Sequence, residues 1–509
     1  MRVLIFHGYL LRGTGSNVYN ANLAEALARL GHDVHLLCQE REAAQLEWVD
    51  AVGRWDGGRL RIERLREASG EGSVTVYRPD IGGLLPVYVR DSYEGFEVKT
   101  FSELGEAELE RYLDSNVAAV SEVAAEAGGV DAALANHLVM GPAILARSEL
   151  DGFAAKVHGS ALEYTVKPNP RFLPHAREGI GAARCALVGS RHTAESLWAA
   201  LPDQALEAKT RLGPPGVDTG EFAPRPAAAA GEELEALAVR IERRPEEAFG
   251  RIGERGAAAV RHLAAAEGAR IVFVGKLIVS KGIDLLLAAW PLVRRENPGA
   301  RLLVTGFGAF DDACQRIVGA LAGGNLDELR ELARAGRAPE GGPQKPLPIL
   351  SAFLEDPPAG YLDAAPAAAA ALSFAGRLEH DEVAGVLPFC EALVMPSTFP
   401  EAFGMVAVEA AACGALPVSA SHSGMLEVSR RLAAALPDGI GELLSFEVAE
   451  GAVEAIADRL NRWLSLGEAE RSAARETLVE RTRELWSWEG VAEGVIAASQ
   501  GDLDALPAP

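Results

Sequence analysis

Glu401 and Glu409 stand eight residues apart in the stretch 397–427, which reads STFPEAFGMVAVEAAACGALPVSASHSGMLE. Between them, Phe403, Gly404 and Met405 form a small loop leading into an Ala-rich run. Residues 404–413 contain good helix formers and no Pro, and Cys413-Gly414 is a stop. The spacing predicts a loop, a helix, and then a short strand at 416–418. Glu401 then precedes the helix N-terminus and Glu409 lies near its second turn. Free N–H groups and the positive end of the helix dipole can receive an anion or a hydroxyl there. Such a site suits a polyhydroxylated, phosphorylated ligand.

Other residues carry chemistry at strand ends. His158 follows an apolar strand at 154–157 and precedes Gly159-Ser160. Ligands bind at the carboxyl edge of open parallel sheets, which favours a functional role over a structural one. Glu163, Tyr164 and Lys167 follow closely and are candidates for the same edge. Lys276 and Lys281 flank a loop between a strand at 271–274 and a helix from Gly282. Two lysines so placed can neutralise a diphosphate, although surface lysines are often merely solvated. Gly13-Thr14-Gly15 lacks the third glycine of a dinucleotide fingerprint, since Val18 stands there. It is either a ligand-approach loop or a flexible turn. The only D-x-D, Asp502 to Asp504, lies in the tail, which argues against a metal-held diphosphate. Neither G-x-S-x-G nor H-E-x-x-H occurs, so hydrolase readings lack support.

The elements that must position these residues come from a chain of 509 residues, too long for one core, so two domains are expected. The composition, 49% apolar and 24% charged, is that of a globular protein. A net charge of −23 argues against nucleic acid as a partner and leaves only peripheral membrane contact open. Five scattered cysteines and no cleavable leader point to a reduced, cytoplasmic setting. Strands are expected at 3–6, 33–37, 74–77, 84–89, 131–135, 154–157 and 186–188. The helix at 18–30 and an amphipathic helix at 106–127 lie among them. Residues 213–218 read as a rigid linker. The second half places strands at 271–274, 302–305, 373–375, 392–395 and 416–418, then helices from about 448. Residues 225–268 and 310–370 read as insertions, the second a helical or loop excursion. The class is α/β, with two doubly wound parallel sheets.

The motifs resemble those of the GT-B retaining glycosyltransferases, specifically glycosyltransferase family 4 (glycosyl transferases group 1). The opening stretch is similar to that family's E-x7-E motif, here Glu401 to Glu409. VGKLIVSKG at 274–282, HGS at 158–160, PPGVD at 214–218 and TGSNVYNANLAEALARLGHDV at 14–34 add to it. The resemblance covers nearly the whole chain outside the two insertions. It implies two Rossmann-like domains facing across a cleft: an acceptor-side domain at 1–215 and a donor-binding domain at 216–488. The final helix, 489–509, would pack back on the first.

The resemblance also implies roles. Glu401 would bind the donor sugar hydroxyls, and the backbone of Phe403, Gly404 and Met405 would hold sugar and phosphate. Glu409 would take the ribose and Lys281 the diphosphate. Lys276 stands where the family usually has Arg. His158 would lie at the reacting centre. Gly15 matches the second glycine of the family's N-terminal loop, with Thr14 replacing the first. Gly376, Arg377 and Leu378 would line the base pocket. The implied substrate is a nucleoside-diphosphate sugar, UDP-sugar before GDP- or ADP-sugar, used without metal or cofactor. The acceptor is a carbohydrate or small molecule, with Tyr88, Arg90, Tyr93 and Lys99 as candidates to shape its pocket. A sugar phosphorylase, a sugar-nucleotide epimerase, or a non-catalytic nucleotide- or glycan-binding protein on the same scaffold remain alternatives. The oligomeric state is not legible.

Overall fold

The computed structural model describes residues 1–12, 15–67, 72–88, 95–150, 152–244 and 251–509. Met1–Gly216 with Trp486–Pro509 forms one unit, and Val217–Leu485 forms the other.

In the first unit, aliphatic runs make β1 (Arg2–Phe6), β2 (Asp33–Leu37), β3 (Ala51–Asp56), β4 (Arg59–Arg64) and β5 (Ser73–Arg78). A separate two-stranded ladder joins β6 (Leu84–Val87) to β7 (Glu97–Thr100). The main sheet continues with β8 (Ala132–Asn136), β9 (Ala154–Val157), β10 (Cys185–Val188) and β11 (Thr210–Leu212). Its order is β11-β10-β9-β8-β1-β2-β5-β3-β4. Leu4 and Phe6 enter the core on one face, and Val3 and Ile5 enter the core on the other. This is the period of two that a strand buried on both sides requires. The helix Trp488–Gln500 supplies Trp488, Ala492, Val495 and Ala498 to the second of these cores. Ser487 caps it, its Oγ accepting from Gly490 N at 3.3 Å.

The sequence reading placed no strand between 41 and 73. The structure has the hairpin β3–β4 there, closed by Gly57 (φ 56°) and Gly58 (φ 76°). Gly-Gly is a hairpin turn signal, but β4 exposes nearly every residue, so it carries no apolar alternation.

The second unit holds β12 (Arg270–Val274), β13 (Arg301–Thr305), β14 (Leu372–Gly376), β15 (Ala392–Met395), β16 (Leu416–Ala420) and β17 (Ser445–Phe446). The sheet is parallel throughout, in the order β14-β13-β12-β15-β16-β17. This is the doubly wound Rossmann order, reversing between β12 and β15.

Both presumed insertions are packed helices. Ala230–Arg243 and Gly253–Ala264 lie together, the latter also against β14. A buried ion pair, Arg251–Glu382 at 2.7 Å, ties their connection to the sheet's helical layer. Residues 310–370, read as a helical or loop excursion, are helical. The helices Asp311–Ala322, Leu326–Ala335, Pro348–Glu355 and Tyr361–Ala370 form the crossover from β13 to β14. Tyr361 OH donates to Ala288 O and Trp290 Nε1 donates to Ala368 O, both at 2.9 Å. Their buried residues, among them Ile317, Leu321, Leu329, Leu332 and Phe353, follow a helical period and not a strand's.

Candidate functional site

The loops that follow β12 and β15 stand side by side at the carboxyl edge, where ligands bind in open parallel sheets. Thr398 N donates to Ser280 O at 2.9 Å and so links the two loops. Gly282 turns one loop into the helix Ile283–Glu296 with φ 65°, and a Cβ there would lie 1.9 Å from Pro396 O. Only glycine tolerates that approach. Lys281 is thereby delivered to Glu401: Lys281 Nζ donates to Glu401 Oε1, and Ser397 Oγ donates to the same oxygen at 2.8 Å. Glu401 N in turn donates to Ser423 Oγ at 2.9 Å. His422 Nε2 lies 2.8 Å from Ser397 O, so it carries the proton, and Nδ1 accepts from Ser423 Oγ at 3.1 Å. Ser397, His422 and Ser423 went unnoticed in the sequence, where nothing but their place in the Glu401 stretch marks them.

Phe403 is buried, Gly404 has φ 123°, and Met405 opens the helix Met405–Ala412. Glu409 is buried on that helix, and its Oε1 lies 3.0 Å from His380 Nε2. Burial works against charge on His380. The bond and the charge of Glu409, with Glu221 and Asp381 nearby, outweigh it and raise the imidazole above its ordinary value. His380 is another residue the sequence reading missed. Each acid of the E-x7-E pair has its own basic partner, Lys281 for Glu401 and His380 for Glu409.

Gly376 ends β14, and its carbonyl accepts from Thr305 Oγ1 at 2.9 Å. Arg377 spans Glu379, at 3.1 Å, and the ring of Phe307. Leu378 is buried beside them in sequence, and Lys276 is exposed in the loop after β12.

In the first unit, the order reverses between β1 and β8. His7 follows β1, Asn136 ends β8, and His158 follows β9. His158 is half-buried, with Nε2 2.9 Å from Asn136 Oδ1. Burial, then His137, Lys156 and His7, push its imidazole well below the ordinary value. The rings of His137 and Tyr19 lie 4.8 and 5.4 Å away. Beneath it Lys156 Nζ donates to Gly213 O over the Tyr19 ring, and burial lowers this amine to about 7. His7 and Asn136 were also missed. The signal was a polar residue closing an otherwise apolar strand.

The remaining candidates take various positions. Glu163 and Lys167 pair with each other at 2.8 Å, and Tyr164 is exposed. Tyr88 is core, its OH donating to Val139 O, and Lys99 pairs with Glu108 at 2.6 Å. Gly15 opens the helix Gly15–Arg29 and is exposed. Thr14, Arg90 and Tyr93 lie outside the described residues. Among the described residues no helix is long and apolar enough to cross a membrane.

Residues 367–483, which include Gly376, Arg377, Glu401 and Glu409, match the family described as glycosyl transferases group 1. A D-inositol 3-phosphate glycosyltransferase of Geodermatophilus obscurus is 26% identical over 90% of this chain and 88% of its own. Over residues 367–483 the chain is similar to the group 1 glycosyltransferases. A second glycosyltransferase of the same description, from Actinosynnema mirum, is 28% identical over 68% of this chain. That alignment spans 64% of the relative's length. The glycosyltransferase fold also matches sucrose-phosphate synthase from Thermosynechococcus elongatus. There the TM-score is 0.57 at 18% identity, over 99% of both chains. This likeness shows the two-domain α/β GT-B fold.

Proposed function

We propose that the chain transfers a sugar from a nucleoside-diphosphate sugar to an acceptor hydroxyl, with retention and without a metal. The observation that carries this reading is the Lys281–Glu401 pair at the sheet's reversal point. Glu401 takes the sugar hydroxyls. Lys281, with the first N–H groups of the helix Met405–Ala412, takes the diphosphate. Preorganised positive charge then meets the charge that grows on the leaving phosphate. Glu409, steadied by His380, takes the ribose. Gly376, Arg377 and Leu378 line the base side, with Lys276 as an outer phosphate contact.

In the working mechanism the anomeric C–O bond to phosphate breaks as the acceptor oxygen attacks from the same face. The acceptor proton passes to the leaving phosphate oxygen. His158 and Gly15 are assigned to the sugar and acceptor side. The setting proposed is cytoplasmic. The relatives' description makes a phosphorylated cyclitol the first acceptor to try.

The test is a thermal-shift panel of UDP, GDP and ADP with and without magnesium, followed by mass and anomeric analysis of products. A shift with one nucleoside diphosphate, UDP first, and a retained anomer are expected. No shift with any of them, or a glycosyl group trapped on Glu401, overturns the reading. A shift with inorganic phosphate alone would favour a phosphorylase.

A further inference from the structure

Four polar side chains of the first unit form one continuous buried chain that ends at His158. His7 Nε2 lies 2.9 Å from Leu10 O and 3.0 Å from Asn17 Oδ1. Asn17 Nδ2 donates to Arg12 O at 2.6 Å, which fixes that amide with its oxygen toward His7. Both neighbours of Nε2 are therefore acceptors, and Nε2 carries the proton. His7 is fully buried and burial lowers it to about 4, so Nδ1 is an acceptor. It accepts from Asn20 Nδ2 at 3.0 Å, and the second Nδ2 hydrogen goes to Ser16 O at 2.8 Å. Asn20 Oδ1 is thus turned away and accepts from Asn136 Nδ2 at 2.7 Å. Asn136 Nδ2 also lies 3.3 Å from Phe6 O, a second carbonyl that only accepts. Asn136 Oδ1 then faces His158 Nε2 at 2.9 Å.

Every amide in the chain is oriented by a backbone carbonyl, so the direction of each hydrogen bond is forced from His7 to His158. His158 must donate from Nε2. Its Nδ1 has no hydrogen-bond partner among the described residues. Asn20 and Asn136 are 0% exposed, and His7 is 2% exposed. Burying three such groups is costly unless each is fully bonded, and here each is. A chain bonded in one direction only also polarises its terminal group.

We propose that His7, Asn20 and Asn136 are positioning residues that hold His158 as the Nε2–H tautomer, so that Nδ1 accepts a hydroxyl hydrogen of the sugar substrate. This rests on the glycosyl-transfer reading above, and it names the part His158 plays in it. The titratable groups around His158 are His137, Lys156, His7 and Tyr19. None of these is a carboxylate, so among the described residues nothing beside the ring favours the imidazolium. His137, whose nitrogens have no partner among the described residues, packs at 4.8 Å and adds no competing bond to Nε2.

Histidine-selective 15N labelling of the full chain, with imidazole two-bond spectra, reads the tautomer directly. The His158 signals are assigned by their loss in His158→Gln. The expected wild-type pattern is protonated Nε2 and bare Nδ1 through neutral pH. In Asn136→Asp a carboxylate replaces the amide beside Nε2, and the ring is expected to titrate at higher pH. The kcat at neutral pH should fall roughly 10- to 100-fold and recover in part at alkaline pH, with donor KM little changed. Asn20→Leu does not touch His158, yet it should give mixed tautomers and the same fall in kcat. A protonated Nδ1 in wild type overturns the proposal, as do unchanged His158 signals in folded Asn136→Asp. The expected tautomer without transfer from any nucleotide sugar overturns the glycosyl-transfer reading and leaves the relay standing.

Discussion

Lys281 and Glu401 are each about three-quarters buried, and their pair is supported by Ser397 and Ser423. A partly exposed pair contributes little to folding, about 1 kcal/mol or less. Under the proposed function its value at a developing diphosphate charge is larger. Lys281→Ala is therefore expected to lower kcat/KM by roughly 100- to 1,000-fold, while the melting temperature stays near wild type; steady-state kinetics beside calorimetry would check this. His380 makes a pH prediction. Its folded-state value is raised by Glu409 against the opposing effect of burial. A raised imidazole stabilises fully below its unfolded value of 6.5, and that contribution is lost as pH rises through the folded value. The melting-temperature gap between wild type and His380→Gln should thus be widest at mildly acidic pH and close on the alkaline side. The E-x7-E spacing was legible because it is local to one loop and helix. The His380–Glu409 contact was not, since 29 residues separate the two and sheet packing joins them.

At the scale of elements, the site depends on how closely two loops approach. A Cβ at position 282 would meet Pro396 O at 1.9 Å, on a backbone at φ 65°. Gly282→Val should destabilise the second unit by roughly 2–4 kcal/mol and abolish nucleotide binding. Urea unfolding and nucleotide titration read the two effects separately, and normal binding would show that the loops can part without consequence. Sequence periodicity found most of the buried parallel strands, though not β3, β11 or β17, because most are short, continuous aliphatic runs between turn residues. It failed for β4, whose side chains face solvent. Residues 310–370 read only as a helical or loop excursion, although Ile317, Leu321, Leu329 and Leu332 recur at helical spacing and are buried.

At the scale of the molecule, the chain leaves its first unit after Gly216 and returns to it at Trp486. Trp488 is 2% exposed and lies 5.5 Å from Tyr19, so the last helix is part of that unit's core. Trp488→Ala is expected to cost about 3–5 kcal/mol there. Two units need not unfold together, so a single melting curve is the wrong measure. Hydrogen exchange should show lost protection in peptides from 1–216 and little change in 217–485. Equal loss in both would mean that they unfold as one.

The sequence by itself determined the α/β class and most strands. It also marked Glu401, Glu409, Lys281 and His158, because their chemistry sits at the ends of short local patterns. Only the tertiary structure decided their partners. Glu401 with Lys281, Glu409 with His380, and His158 with Asn136, Asn20 and His7 are joined by parallel pairing, which places strand ends from distant parts of the chain side by side. Hydrogen-bond direction was likewise beyond the sequence. An amide can face either way until a carbonyl from another element orients it, and at His158 those carbonyls come from residues 6 to 16.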